Sequence, residues 1–331
     1  MTKNYYRPLV HSGSPRPDGA VSLAGGWGWF THAERMSRAD GGVLLPVEDI
    51  PTGLLQRLTS PRPDFAGLSM GRPHLMGILN VTPDSFSDGG RLEGSAAIRA
   101  RAAGMIAEGV SILDIGGEST RPGAAPVPVA EELARVLPAL AAMPEGAVLS
   151  IDTRKAAVAE VALGAGAKIF NDVSALTYDP ESVSVAVARS AFICLMHAQG
   201  DPQTMQDAPH YDNIVLDVYD FLEEKVAAAA AAGIPRDRIC IDPGIGFGKT
   251  MEHNLALLRN LSLFHGLGVP ILLGVSRKRF IGTIGGAERA EDRAPGSIAV
   301  GLEGLRQGVQ ILRVHDTAET AQALALWRAL N

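Results

Sequence analysis

The stretch from residue 147 to residue 174, AVLSIDTRKAAVAEVALGAGAKIFNDVS, contains two short apolar runs separated by an alanine-rich segment. A strand is predicted at 147–153, a helix at 154–165 and a second strand at 168–174. Both strands are apolar along most of their length, which is typical of strands covered on both faces. A strand, a helix and another strand in this order predict two parallel strands joined by a crossover helix.

The same alternation continues from residue 74 to residue 331. Strands are predicted at 74–80, 111–117, 147–153, 168–174, 191–197, 239–245, 270–276 and 310–316. Helices are predicted at about 95–109, 129–142, 154–165, 182–190, 212–232, 251–264, 295–308 and 317–330. Eight such units within 258 residues are typical of one α/β domain, a (β/α)8 TIM barrel. A doubly wound open sheet remains the alternative, because periodicity does not show whether a sheet closes.

The first 73 residues differ from the rest, since they are rich in Gly, Pro and Arg and contain one predicted helix near 49–59. They hold no complete strand and helix unit, so we expect an N-terminal extension (1–73) of unknown role beside a barrel at 74–331. Trp27 and Trp29 lie in this extension. Since large aromatic side chains are usually buried, we expect the extension to pack on the barrel or on a second subunit.

Composition excludes several classes of protein. Hydrophobic residues make up 46% and charged residues 20% of the 331 residues, as in ordinary globular domains. The net charge of −6 provides no basic surface for nucleic acid or an anionic membrane. The first residues lack the pattern of a signal peptide, and no apolar stretch is long enough for a membrane span. Cys194 and Cys240 lie in apolar runs and predict buried free thiols, so we expect a cytoplasmic protein.

Polar side chains gather at the carboxyl ends of the predicted strands. They are Asn80, Asp114, Asp152, Asn171, His197, Asp242, Ser276, Arg313 and His315. In a parallel barrel these ends meet at one face, where TIM-barrel enzymes have their active sites. The set therefore predicts a catalytic rim, although any single member could instead only bond a loop.

Three of these residues, Asp152, Asn171 and Asp242, predict a pocket for a heterocycle with adjacent N–H groups, such as a 2-amino-4-oxo ring. Carboxylate and amide oxygens are suitable acceptors for such an edge. The chain lacks the His and Cys spacings of a zinc site. A Mg²⁺ ion held by Asn80 and by phosphates of the ligand remains an open alternative.

The eighth strand predicts an anion site. Arg313 and His315 are two residues apart, so their side chains share a face and form a cationic patch suited to phosphate. By the same spacing, Ser276 and Lys278 would lie together if the seventh strand continued that far. Arg279, the next residue, is expected to be an exposed cation at the start of a helix.

The segment GIGFGKT (244–250) is not a P-loop, because Pro243 occupies the position where that motif needs glycine. Its glycines predict a backbone that approaches a flat ligand, with Phe247 either as a stacking face or as a core residue. Two further loops, 80–91 and 116–124, combine Gly, Pro, hydroxyl and charged residues. They predict loops that close over a substrate, with solvated turns as the alternative.

Eight motifs run through the barrel region: MGILNVTPDSFSDGG (76–90), DIGGESTRPGA (114–124), SIDT (150–153), NDVS (171–174), LMHAQG (195–200), DPGIGFGK (242–249), GVSRK (274–278) and RVHD (313–316). Together they resemble the dihydropteroate synthase family, in the order of that family. The resemblance implies a (β/α)8 barrel that joins 6-hydroxymethyl-7,8-dihydropterin diphosphate to 4-aminobenzoate. The products would be diphosphate and 7,8-dihydropteroate, an intermediate of folate biosynthesis.

The resemblance also implies roles for individual residues. Substrate would be bound by Thr120, Arg121, Asp114, Asp152, Asn171, Met196, Asp242, Phe247, Gly274, Ser276, Lys278, Arg313 and His315. The expected catalytic residues are Asn80, Arg313, His315 and Lys278, with Asn80 as the ligand of a Mg²⁺ cofactor and with Arg313 and His315 at the diphosphate. The family further implies a homodimer.

Two other functions remain open from the sequence. One is a non-catalytic protein that binds a pterin. The other is a related methyltransferase that works with a corrinoid partner, which would not need the anion site at Arg313 and His315. Release of diphosphate in a coupling assay would distinguish the synthase from both.

Overall fold

The computed structural model describes residues 2–81, 91–119, 125–200, 205 and 207–331. Its strands, in chain order, are β1 (Asn4–Pro8), β2 (His11–Ser12), β3 (Val21–Ser22), β4 (Gly28–Phe30), β5 (His32–Ser37), β6 (Val43–Pro46), β7 (His74–Asn80), β8 (Ile112–Gly116), β9 (Val148–Asp152), β10 (Ile169–Asp172), β11 (Phe192–Met196), β12 (Ile239–Asp242), β13 (Leu272–Leu273) and β14 (Ile311–Val314). Its α-helices are α1 (Thr52–Thr59), α2 (Arg91–Ala107), α3 (Val129–Ala141), α4 (Ala156–Gly164), α5 (Ser182–Ala188), α6 (Ile214–Ala231), α7 (Met251–Arg259), α8 (Arg279–Gly285), α9 (Ala294–Arg306) and α10 (Thr317–Leu330).

Strands β7 to β14 form one parallel sheet in the order β12, β11, β10, β9, β8, β7, β14, β13. The two end strands meet through a parallel bridge between Ile241 and Ile271. The amide of Ile241 donates to the carbonyl of Pro270 at 3.0 Å. The sheet therefore closes, which confirms the predicted (β/α)8 TIM barrel and shows that the open-sheet alternative is wrong.

The helices follow the prediction with two differences. The segment predicted as one helix at 251–264 ends as an α-helix at Arg259 and continues as a 3-10 helix at Leu261–Leu267. A short helix, α8, precedes α9 and was not predicted. No helix in the described ranges is long and apolar enough to cross a membrane.

The N-terminal extension contains two small antiparallel sheets, with strand orders β1-β5-β6 and β2-β4-β3, which the sequence did not predict. It packs on the outer wall of the barrel. The Nζ atom of Lys3 and the hydroxyl of Tyr5 donate to Asp220 of α6 at 2.6 Å and 2.8 Å. The indole N–H of Trp27 donates to the carbonyl of Leu305 in α9 at 2.8 Å. Its ring contacts Trp327 edge to face, with 5.9 Å between the centroids.

The end of the extension closes the lower mouth of the barrel. Phe65 and Met70 are fully buried and pack against the inward side chains at the beginnings of the strands. These side chains are Met76, Ile112, Val148, Ile169, Cys194, Cys240, Leu272 and Ile311. The lower half of the barrel is thus filled with apolar side chains, which leaves the carboxyl ends of the strands as the place for polar chemistry.

Candidate active site

Inward-facing positions change from apolar to polar along the strands. In β8, Ile112 belongs to the lower apolar layer, and Asp114 comes two residues later. Because side chains two residues apart share a face of a strand, Asp114 lies above Ile112 inside the barrel. The same step leads to Asn171, Met196, Asp242 and Arg313, and Asp152, which lies on the same face of β9 four residues after Val148, completes this upper layer. The structure therefore brings these six predicted residues together at one end of the barrel.

The guanidinium of Arg313 lies between two carboxylates. Its Nε donates to Asp114 Oδ2 at 2.6 Å, and its Nη2 donates to Asp152 Oδ2 at 2.7 Å. The amide of Asn171 donates to the same oxygen of Asp114 at 3.2 Å. The sequence predicted Arg313 at a diphosphate, and the structure shows its guanidinium bonded to two carboxylates that were predicted to bind substrate, of which Asp152 was expected at the heterocycle. A single cation therefore connects the two halves of the candidate site.

Each of these two carboxylates keeps one oxygen available. Asp114 Oδ1 and Asp152 Oδ1 are buried and have no hydrogen-bond partner among the described residues. Most buried acceptors in folded proteins are bonded, so such oxygens mark positions where N–H donors of a ligand can bind. Burial raises the pKa of Asp152 to about 7. The neighbouring Asp114 also raises this pKa, whereas Arg313 lowers it.

A second group of predicted residues surrounds Asp242. In the pairing of β11 with β12, Asp242 lies beside Met196. Its Oδ1 accepts a hydrogen bond from the amide of Gly244 at 2.7 Å, and burial raises its pKa. The Nζ atom of Lys278 lies over the ring of Phe247, 4.0 Å from the centroid. The carboxylate of Asp242 and the ring of Phe247 thus belong to the same part of the candidate site.

The seventh strand does not continue as far as Lys278, so the condition for Ser276 and Lys278 to lie on one strand face is not met. The strand β13 is limited to Leu272–Leu273, and Lys278 immediately precedes the first residue of α8. Ser276 and Lys278 therefore do not share a strand face. The Oγ of Ser276 accepts from the amide of His315 at 3.1 Å and lies 3.0 Å from its Nδ1. Arg279 is exposed at the start of α8, as predicted.

Other predicted residues are at the edge of the described region or beyond it. Thr120, Arg121 and the segment 82–90 lie outside the described residues. Gly274 is within them, and a Cβ built on it would lie 3.5 Å from Asp242 Oδ2. Asn80 is the last residue of β7 and pairs with Gly116 of β8.

The surroundings of Gly116 decide whether Mg²⁺ fits. A Cβ built on this glycine would lie 3.5 Å from Asn80 Oδ1 and 3.6 Å from Asp152 Oδ2, so both oxygens border the space that its missing side chain leaves. Amide and carboxylate oxygens are ligands of Mg²⁺, which commonly takes one or two of them together with substrate phosphates. The described residues contain no group of three or more His, Cys, Asp or Glu that could hold a metal. The site therefore fits a Mg²⁺ ion that is bound jointly by these oxygens and by a phosphate ester. It does not fit a metal ion bound by protein ligands alone.

Sequence reasoning missed a buried ion-pair cluster beside the rim. The Nζ of Lys155 lies 3.0 Å from Glu118 Oε1 and 2.5 Å from Glu132 Oε2. Glu118 also pairs with Arg154 and accepts from the amide of Val127 at 2.8 Å. The cluster joins the residues that flank segment 119–126 to the end of β9. The adjacent Arg154 and Lys155, directly after a predicted strand end, were the available signal.

Lys249 is a second residue that sequence reasoning missed. It is buried, and its Nζ lies 2.9 Å from Nδ1 of His197. Burial lowers the pKa of His197 to about 2, with a further contribution from Lys249, so the imidazole is neutral. His197 therefore has a structural environment, one of the two alternatives left open by the sequence.

The geometry agrees with comparisons to known proteins. The model of the family described as pterin binding enzyme matches residues 76–315. The chain belongs to this family, which fits a barrel whose upper layer presents carboxylates and an amide.

Individual relatives narrow the assignment. Dihydropteroate synthase from Escherichia coli (strain K12) is 43% identical over 264 residues, which cover 79% of this chain and 93% of that protein. A structure of Xanthomonas albilineans dihydropteroate synthase with 4-aminobenzoic acid is similar with a TM-score of 0.74 and 47% identity, over 82% of this chain and 98% of that one. The same enzyme in complex with 7,8-dihydropteroate gives a TM-score of 0.71 and 44% identity, covering 81% and 98%. Within the pterin binding enzymes, the chain belongs with the dihydropteroate synthases.

Proposed function

We propose that this protein condenses (7,8-dihydropterin-6-yl)methyl diphosphate with 4-aminobenzoate to give 7,8-dihydropteroate and diphosphate. The observation that carries this proposal is the upper layer of the barrel. It combines buried acceptors for a pterin ring with a cation, Arg313, bonded to Asp114 and Asp152. The relatives named dihydropteroate synthase support the same reaction.

The pterin ring would occupy the space above the lower apolar layer. The oxygens Asp114 Oδ1 and Asp152 Oδ1 would accept from its N–H groups, because these oxygens have no partner in the described part of the protein. Asn171 offers both a donor and an acceptor. Lys278, over Phe247, would bind a ring acceptor, while Met196 and Gly274 line the pocket.

The diphosphate would lie at the open end of the pocket. Arg313 has five N–H donors, so bonds to two carboxylates leave it able to reach an anion. His315 would be a second donor. Asn80 would hold Mg²⁺, and the ion bound there would screen the charge of the departing diphosphate.

The reaction needs positioning and electrostatics more than a strong base. The C–O bond to diphosphate breaks, the dihydropterin ring delocalises the charge that develops at the methylene, and the nitrogen of 4-aminobenzoate forms the new C–N bond. The amine attacks in its neutral form and afterwards releases one proton to water. Thr120, Arg121 and Ser276 would orient 4-aminobenzoate, and water exclusion would prevent hydrolysis.

The experiment that tests the proposal is a coupling assay with the full chain. The purified protein is mixed with Mg²⁺ and both substrates, and diphosphate and dihydropteroate are measured. We expect both products in equal amounts, and none when 4-aminobenzoate is omitted. Tight binding of the pterin ester in calorimetry without any diphosphate release would overturn the proposal in favour of a non-catalytic pterin-binding protein.

We also propose that the protein is a homodimer in the cytoplasm. An apolar groove of about 840 Å³ lies between the extension and the barrel wall, lined among others by Val10, Leu255, Phe280, Ile284 and Val300. Ile284 is 60% exposed, and a second copy of the chain would cover it. The free thiols of Cys194 and Cys240 suit a reducing compartment.

The dimer is tested by the mass of the protein in solution. Ile284→Arg should convert it to a monomer in analytical ultracentrifugation. Val187→Arg, at an exposed position of α5 outside the groove, should leave the dimer intact. A wild-type monomer at micromolar concentration would contradict the dimer without affecting the enzymatic proposal.

A further inference from the structure

Lys249 is a buried cation that the proposed reaction does not use. Only 3% of its surface is exposed. Its Nζ donates to the carbonyls of Gly244 at 2.8 Å, Phe247 at 2.9 Å and His197 at 3.2 Å. The ion pairs of the described residues do not include Lys249. Backbone carbonyls, the ring nitrogen of His197 and the charge of Asp242 therefore stabilise the ammonium. With Nδ1 of His197 at 2.9 Å, four acceptor atoms surround the three N–H donors of the ammonium.

The loop from Asp242 to Lys249 turns around this ammonium. Gly244, Gly246 and Gly248 all have positive φ, at 69°, 83° and 60°. A Cβ on Gly244 would lie 1.8 Å from the carbonyl oxygen of His197. The glycines therefore allow a backbone path in which carbonyls point inward to one cation. The glycine-rich segment is not a P-loop, and carbonyls of this segment bind the amine of Lys249, which lies at its end.

Both ends of this loop carry residues of the candidate site. At its beginning, Asp242 accepts from the amide of Gly244, whose carbonyl in turn accepts from Lys249. Near its end, the carbonyl of Phe247 accepts from Lys249 while the ring of Phe247 lies under Lys278. One ammonium thus links the acidic group to the aromatic face.

Other contacts also hold the loop. The hydroxyl of Tyr211 donates to the carbonyl of Gly248 at 2.7 Å. The side-chain oxygen of Asn254 accepts from the amide of Gly246 at 2.7 Å. Neither contact reaches Gly244 or Phe247. The amide of Phe247 does donate to the carbonyl of Gly244 at 3.2 Å. Lys249 adds bonds to the carbonyls of both residues, so it supports the spacing of the two site groups together with this backbone bond.

We propose that Lys249 is a positioning residue for the pterin half of the site, which fixes the separation of the Asp242 carboxylate and the Phe247 ring by binding the carbonyls of Gly244 and Phe247. The role rests on the proposed function, since it presumes that a pterin binds there. Burial lowers the pKa of Lys249 to about 7, against the opposing effect of Asp242.

The test compares Lys249→Met with a matched control. Lys249→Met gives an unbranched side chain that is one atom shorter and removes the three donors. Arg62→Met is the control, because Arg62 is also a buried cation that donates to backbone carbonyls, those of Arg57, Ser60 and His265. Arg62 lies in the extension, away from the rim, so its loss should affect stability alone.

We expect Lys249→Met to raise the KM for the pterin ester about tenfold or more and to leave the KM for 4-aminobenzoate within about twofold. Arg62→Met should lower the melting temperature and leave both KM values unchanged. If Lys249→Met does not fold, Lys249→Gln, which keeps two donors, provides the same comparison. Calorimetry with the unphosphorylated pterin measures the effect without turnover, so it separates this proposal from the enzymatic one. A folded Lys249 variant that binds the pterin like the wild type would overturn it.

Discussion

At the scale of single residues, the decisive feature is the charge balance around Arg313. One guanidinium bonds Asp114 and Asp152, so the buried group carries more negative than positive charge if both carboxyls are ionised. Because charge is costly away from water, burial raises the pKa of Asp152 to about 7. A pterin would donate N–H groups to these carboxylates and so stabilise their negative charge. An anion would bind the remaining N–H groups of Arg313.

Replacing Asp152 with Asn should change how stability depends on pH. Between about pH 4 and pH 7, the folded wild type retains a proton on Asp152 that the unfolded chain has released, so its stability decreases as the pH rises. Asp152→Asn removes this contribution, so its decrease across the same interval should be smaller by on the order of 1 kcal/mol or more. Urea unfolding at pH 4.5 and 7.5 measures the difference. The exposed Asp64→Asn is the control, and an equal decrease in both variants would contradict the assignment.

The residues at strand ends could be predicted because the physics is local. A charged or amide side chain that follows an apolar strand is costly to bury unless it serves a site, so Asp114, Asp152, Asn171 and Asp242 were recognisable. The partners of Arg313 were not, because Asp114 and Asp152 are 199 and 161 residues away from it in the chain. Lys249 was missed for a related reason. Its environment consists mainly of backbone carbonyls, and because every residue has one, the sequence gives no signal for such a contact.

At the scale of elements, the loops at the carboxyl ends of the strands contain residues with positive φ, which end the extended backbone of the strands. Arg277 has a φ of 59°, which ends the extended path after β13 and directs Lys278 into the site from the start of α8. The side chain of Arg277 pairs with Asp316, and its amide donates to Ser297. These tertiary contacts stabilise a conformation that arginine rarely adopts, so the local sequence predicted a longer strand.

The glycine-rich loop allows a sharp test at the same scale. Gly244→Ala and Gly233→Ala both place a Cβ at positive φ, which costs about 1 kcal/mol in each case. Only at Gly244 would the Cβ collide, 1.8 Å from the carbonyl of His197, whereas at Gly233 nothing lies within 4 Å. We expect Gly244→Ala to raise the KM for the pterin ester about tenfold or more, because the carbonyl that binds Lys249 must move. Gly233→Ala should keep the wild-type KM. Equal kinetics in the two variants would show that the loop tolerates displacement.

At the scale of the whole molecule, the extension and the active site lie on different parts of the barrel. The small sheets pack on α6, on the 3-10 helix at 261–267 and on α9 and α10, while the site occupies the carboxyl ends of the strands. The family model begins at residue 76, so it leaves the whole of this extension unmatched. The sequence predicted the barrel from repeated local patterns. It did not predict the small sheets, because their strands are as short as two residues and are defined by pairing.

This separation predicts different effects for two truncations. A chain that begins at residue 61 loses both small sheets but keeps Phe65 and Met70, so we expect a lower melting temperature with KM values within about twofold of the wild type. A chain that begins at residue 74 also loses Phe65 and Met70, which are 1% and 0% exposed. Removing two such side chains costs about 5 kcal/mol or more, which is comparable to the whole stability of many domains. We expect this shorter chain not to fold.

The closing role of Phe65 can be measured without truncation. In the full chain, Phe65→Ala should lower the free energy of unfolding by about 3 to 5 kcal/mol, because it opens a void under the apolar lower layer. Leu44→Ala, at a position that is 57% exposed in β6, should change it by less than about 0.5 kcal/mol. Urea unfolding provides both values. If the chain that begins at residue 61 were folded but unable to bind the pterin ester, the extension would have to act on the site through the barrel wall, and the predicted independence of the site from the small sheets would be wrong.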